Sequence, residues 1–145
     1  MTAFALRRAT PADAAPLSAC FERAYAAYVA RIPDLPEVAT GLAEDIAAHI
    51  VWVAESPGGV VGGLVLVLEP DRAHLANVAV DPGCRGLGLG AALIAQAEAL
   101  ARAAGRPVIG LATHAEMPEN LRLYRHLGWC ETGRDGARVF MEKPL

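Results

Sequence analysis

What is scarce in this chain narrows the field first. Its three cysteines, Cys20, Cys84 and Cys130, are odd in number and far apart. That argues against a disulfide framework or a thiolate zinc site and suits reduced thiols. Its four histidines (His49, His74, His114, His126) show no H-x-x-x-H spacing, so no metal site is expected. No apolar run approaches the roughly 18 residues of a membrane span. The first charges, Arg7 and Arg8, follow the apolar residues instead of preceding them, which is not the order of a signal peptide. The expectation is a cytoplasmic protein with no membrane partner. There is no basic block and the net charge is −3, so no nucleic-acid partner is expected. No repeat, linker or low-complexity stretch interrupts the chain.

What is present is a foldable mixture. The 145 residues are 54% hydrophobic and 20% charged, which suits one globular domain over residues 1–145. Much of the apolar fraction is alanine, a helix former. Weak alternation predicts a first strand over 4–8. Thr10-Pro11-Ala12-Asp13 reads as a helix start, with Thr10 as cap and Pro11 at the first position. That helix is expected to reach about Tyr28, with Leu17, Phe21, Ala24 and Tyr28 on one face. Tyr25 and Tyr28 near its end are the residues that could face a substrate. Pro33 and Pro36 break the chain, and a second helix is expected over 37–49. Strands over 50–55 and 60–68, joined at Ser56-Pro57-Gly58-Gly59, read as a hairpin. Gly62-Gly63 predicts a bulge or a close backbone approach.

The most informative stretch follows. Strand 74–80 runs into Asp81-Pro82-Gly83-Cys84-Arg85-Gly86-Leu87-Gly88-Leu89-Gly90-Ala91 and then a helix over about 88–104. Bare backbone N–H groups at a helix N-terminus, with Arg85 beside them, form an anion site suited to phosphate or pyrophosphate. The loop is not a P-loop, because Ala91 and Ala92 stand where Lys and Ser/Thr are needed. Gly86, Gly88 and Ala91 match a dinucleotide-binding G-x-G-x-x-A, but the next strand, 108–113, ends at Thr113-His114 without the acid that motif requires. On the helix, Leu89, Leu93, Ala97, Leu100 and Ala104 form the apolar face, and Glu98 and Arg102 are expected as an exposed i,i+4 pair. The strand–helix–strand unit implies that 74–80 and 108–113 run parallel. A further helix starts at Met117-Pro118 and ends at Gly128, followed by strands over 129–132 and 137–143. The order predicts a mixed α/β domain: a largely antiparallel sheet of about seven strands, about four helices, and parallel, splayed central strands.

The loop resembles the [Q/R]-x-x-G-x-[G/A] motif of the GNAT superfamily of acyl-CoA-dependent N-acetyltransferases. Asn120-Leu121-Arg122-Leu123-Tyr124 through Gly128-Trp129 is similar to the Asn–Tyr–Gly–aromatic helix of the same superfamily. Asn120 and Tyr124 are i,i+4 and share a helix face. The resemblance is strongest over 75–129. It implies that acetyl-CoA lies between the splayed strands, with pantetheine on the backbone of Val78 and Val80. The pyrophosphate would rest on the N–H groups of Arg85, Gly86, Leu87, Gly88, Leu89, Gly90 and Ala91. A backbone N–H near Ala79 would polarise the thioester, and Asn120 would bond the pantetheine arm. Tyr124 would be the general acid for the leaving thiolate. Direct attack by a primary amine needs no covalent intermediate, so Cys84 and Cys130 are bystanders. For the general base, the position that is a glutamate in histone-type members is His74 here, which reads equally as a surface histidine. Glu69, Glu116 or ordered water are the alternatives. The acceptor is an amine on a small molecule or peptide. Asp34, Glu37, Glu44 and Asp45 read first as a solvated helix face and second as a lure for a cation. A homodimer is an open expectation, with strand 137–143 as a candidate edge. The second functional reading is a non-catalytic acyl-CoA-binding or sensing domain on the same fold.

Overall fold

The computed structural model describes residues 4–32 and 41–145. Asp34 and Glu37, and the start of the expected second helix, lie outside them. Seven strands form one sheet in the order β1-β2-β3-β4-β5-β7-β6. They are β1 Ala5–Arg8, β2 Ile50–Ser56, β3 Gly59–Leu68, β4 Ala73–Val80, β5 Val108–His114, β6 Cys130–Asp135 and β7 Arg138–Pro144. Four α-helices accompany them among the described residues: α1 Ala14–Arg31, α2 Leu42–Ala48, α3 Leu89–Ala103 and α4 Pro118–His126. Every strand pairing is antiparallel except β4–β5. This is the mixed, largely antiparallel sheet that the pattern of elements predicts. None of the described helices is long and apolar enough to cross a membrane.

Strand alternation sorts the core into two layers. Val51, Val53, Val65 and Ala79 pack against Leu17, Phe21 and Ala24 of α1 and Leu42 of α2. Leu64, Leu66 and Leu75 face the other way, against Leu89, Leu93, Ile94 and Ala97 of α3 and Leu121 and Tyr124 of α4. Each fully buried Leu or Phe contributes about 1.5–3 kcal/mol. The entry to α1 is held by Asp13, whose carboxylate takes the Thr10 N–H at 2.7 Å and both arms of the Arg7 guanidinium at 2.8 and 2.9 Å. That fork holds the Asp13 carboxyl at about 2, well below the carboxylate range.

Both outcomes expected of Gly62-Gly63 occur. The β2–β3 register slips between Ala54 and Glu55, leaving Val61 without an opposite residue. A Cβ on Gly63 would fall 2.5 Å from Leu17 Cδ1 and 2.9 Å from Trp52 O. Only a glycine lets α1 lie this close to the sheet.

Two expectations are corrected. Glu98 is not an exposed partner of Arg102. It is buried, taking the Trp129 indole N–H at 3.2 Å and Lys143 Nζ at 2.8 Å. Its carboxylate satisfies two donors from distant segments, which outweighs a solvated local pair. Nor is the last strand an edge. Strand β7 lies between β5 and β6, so β6 closes that side of the sheet.

Candidate active site

The site begins where β4 and β5 separate. They pair only at Ala73–Ile109 and His74–Gly110, then splay. Beyond His74, one edge of β4 therefore has no partner strand among the described residues. The phase of that edge is readable. The Asp81 N–H donates to Val61 O at 2.7 Å, and a Cβ on Gly62 would touch Ala79 O at 2.9 Å. Ala79 and Asp81 thus turn their backbone groups toward β3. By alternation, Val78 and Val80 turn theirs into the gap. A backbone donor near Ala79 is therefore supplied by Val78 or Val80, not by Ala79 itself.

A second bulge re-aims β4. The β3–β4 register slips so that Val65 opposes Asn77 while Leu66 opposes Leu75. Ala76 is the extra residue. His74 and Asn77, three apart, consequently share one face of the sheet, which an unbroken strand would forbid.

Two cavities meet at the splay. One, of about 420 Å³, runs along Val78–Val80 to the glycine loop and the start of α3, roofed by Leu123 and Tyr124. In the loop Gly86 and Gly88 have φ of +82° and +78°, conformations that favour glycine. Gly88 is the N-cap of α3 and offers no side-chain acceptor, so the first N–H groups of α3 remain available to a ligand. Gly90, Ala91 and Arg85 line this cavity, and Arg85 also reaches Ala24 O at 3.3 Å. Leu87 instead projects outward at 47% exposure. Asp81 braces the loop, accepting from Gly83 N–H at 3.0 Å and pairing with Arg23 at 2.8 Å.

The other cavity, of about 350 Å³, lies between Leu75–Val78 and Leu111–His114. His74, Met117, Arg138 and Asp45 also line it. Glu44, grouped with Asp45 by sequence, is not among its lining residues. Among the described residues, Tyr25, Val78, Asn120 and Tyr124 line both cavities. Tyr124 is buried and tilted against Trp129, with ring centroids 5.5 Å apart. Burial drives its phenol well above the ordinary range, with the nearby Tyr25 adding to the shift. Tyr25 reaches Val78 O at 3.2 Å and Asn77 Oδ1 at 3.3 Å, and burial pushes it up to about 12. Asn120 Nδ2 contacts Met117 Sδ at 3.5 Å.

His74 is half-buried. Burial lowers its pKa, Glu69 opposes the shift, and Arg72 and Arg138 add to it. Burial therefore favours the neutral imidazole. His114 accepts the Glu116 N–H on Nδ1 at 3.1 Å. Across the outer end of the gap, Tyr28 donates to Glu119 Oε1 and Arg31 to Glu116 O at 2.9 Å. Cys84 lines the loop cavity, while Cys20 is buried and Cys130 exposed; all three are free.

The sequence pointed to the glycine loop, Asn120, Tyr124 and His74, and these surround the two joined cavities. It did not single out Asn77, His114 or Arg138 as site residues. Asn77 needs the bulge at Ala76 to face the site. Arg138 needs the β5–β7 register, which sets it opposite His114.

The comparisons with known proteins agree with this geometry. A sequence model of the acetyltransferase (GNAT) family matches residues 17–129. An IAA acetyltransferase of Azospirillum brasilense is 32% identical over 101 residues, 64% of this chain and 66% of that protein. The chain thus spans just under two thirds of that relative. Among solved structures, the PaiA N-acetyltransferase of Thermoplasma acidophilum, crystallised with coenzyme A, superposes with a TM-score of 0.83 at 17% identity over 99% of both chains. An IAA acetyltransferase from Bacillus cereus superposes with a TM-score of 0.76 at 18% identity over 99% of this chain and 100% of that one. With the family model covering residues 17–129, and the fold and cavities arranged around that stretch, this chain belongs to the GNAT acetyltransferase family.

Proposed function

We propose that this protein transfers an acetyl group from acetyl-CoA to a primary amine by direct attack, with Tyr124 as general acid and His74 as general base. The observation that carries the reading is the meeting of the two cavities at Tyr124 and the open edge of Val78. One cavity has what a CoA thioester needs: a free strand edge and a glycine loop at a helix N-terminus. The other, holding His74, is left for the acceptor.

Bound acetyl-CoA supplies an activated acetyl group and a thiolate leaving group. The chain's own residues do the rest. The loop N–H groups and Arg85 hold phosphate charge. Val78 and Val80 align the arm along β4 as an added strand would lie. A Val78 or Val80 N–H is placed for the charge that develops on the carbonyl oxygen. His74, its neutral form favoured by burial, accepts a proton from the incoming ammonium, directly or through a water. Tyr124 holds its phenolic proton at every working pH and delivers it toward the departing sulfur.

The test is release of free thiol from acetyl-CoA across a panel of amines, with the acetylated product identified by mass. Amine-dependent thiol release supports the reading. Tight coenzyme A binding with no turnover of any amine would favour a sensing domain instead.

A further inference from the structure

We propose that Arg138 is the anion-binding arm of the acceptor cavity, and that the amine acceptor carries a carboxylate. The inference rests on the acetyltransferase reading and specifies the substrate class of that same site.

Strand register sets which side chains share a face. On β7, Val139 and Met141 are buried in the core shared with α3, so Arg138, Phe140 and Glu142 project from the opposite face. They lie beside His114, Ala112 and Gly110 of β5, and Gly110 lies beside His74 of β4. This face carries two guanidinium groups. Arg72 lies over Gly110, where even a Cβ would collide with it, and is neutralised by Glu142 at 2.8 Å. Arg138 is different. Its guanidinium sits 5.2 Å from the Phe140 ring centroid, and among the described residues it has no ion-pair partner.

Arg138 lines the acceptor cavity together with Tyr124 and His74. It also lines an adjoining cavity of about 400 Å³ toward Glu69 and Thr132. His114, opposite Arg138 on β5, and Ala112, opposite Phe140, line the same cavity. A planar guanidinium braced on an aromatic ring presents paired donors, the geometry that matches a carboxylate. Among the described residues, Asp45 is the one acid that lines the same cavity. A guanidinium and a carboxylate on the walls of one cavity suit an acceptor with a carboxylate and an amine. A polyamine, all positive, would meet Arg138 with nothing to offer it.

The experiment compares the twenty common amino acids with their carboxamides as acetyl acceptors, in the wild type and in Arg138→Gln and Arg138→Glu. Binding of the N-acetyl amino acids and their amides to the coenzyme A-saturated protein is measured in parallel. The wild type should favour at least one free acid over its amide by about tenfold or more, the scale of a charged hydrogen bond. Arg138→Gln should erase that ratio, chiefly through KM, and Arg138→Glu should invert it. Coenzyme A affinity and Tm serve as folding controls. Equal use and equal binding of acids and amides, or an acid preference that survives Arg138→Glu, would overturn the assignment while leaving the acetyltransferase reading intact. Failure to bind coenzyme A at all would remove both.

Discussion

Replacing Tyr124 by phenylalanine deletes one oxygen and separates chemistry from structure. Among the described residues no hydrogen bond engages the Tyr124 hydroxyl, and the ring keeps its place against Trp129. Stability should therefore change by no more than about 0.5 kcal/mol, or roughly 2 °C in Tm for a chain of this size. The rate should change far more. General acids contribute about 10²- to 10⁴-fold. Burial holds this phenol above its ordinary range, while a free thiol has a pKa of about 8.5. Proton transfer to the sulfur is thus uphill, which puts the effect at the low end. A loss of about 10²-fold in kcat, or about 2.7 kcal/mol, is expected with acetyl-CoA affinity little changed. Steady-state thiol release and calorimetric titration of acetyl-CoA read the two quantities. Full turnover by Tyr124→Phe would remove the hydroxyl from the mechanism. A parallel collapse of Tm and cofactor affinity would assign it a structural role.

Three further outcomes follow from named contacts. Burial depresses the His74 pKa, so its basic form is lost only as pH falls below that lowered value. The acid limb of kcat/KM should lie below pH 6.5, and His74→Gln should abolish it; a limb that survives would move the base elsewhere. Gly63→Ala puts a methyl group 2.5 Å from Leu17 Cδ1 and 2.9 Å from Trp52 O. It should cost about 1–3 kcal/mol by overpacking, read as a fall in the urea midpoint, and an unchanged midpoint would contradict the packing of α1. A Cβ on Gly90 meets only Leu123 and Val80, each at 3.8 Å, so Gly90→Val should fold normally. Its larger side chain would narrow the cavity at the start of α3 and weaken coenzyme A binding about tenfold or more, the effect of losing about 1.4 kcal/mol. Wild-type affinity in that variant would place the cofactor elsewhere.

The local parts of this structure were legible in its sequence. Glycines and an arginine between a strand and a helix mark a loop because the signal lies within a few residues. Asn120 and Tyr124 share a face because helical spacing alone decides it. The parallel β4–β5 pair follows from the length of the crossover. What was illegible depends on partners far along the chain. Glu98 looked like a surface charge until Trp129 and Lys143 supplied its two donors. Asn77 joins His74 on one face only through the bulge at Ala76. The last strand slots inside the sheet because β5 pairs with it before β6 does. Asp45, read from sequence first as solvated surface and second as a lure for a cation, lines the cavity between β4 and β5.

The most direct test of the account is calorimetric titration of the protein with acetyl-CoA, coenzyme A, NAD and ATP, each in separate experiments. A ligand specific for the folded state adds about 2.7 kcal/mol of stability at 100 times its Kd, so a thermal shift on the same samples provides an independent check. The account predicts saturable binding of acetyl-CoA and coenzyme A, with NAD and ATP far weaker. Binding of NAD alone, or no binding of either CoA compound, would contradict it.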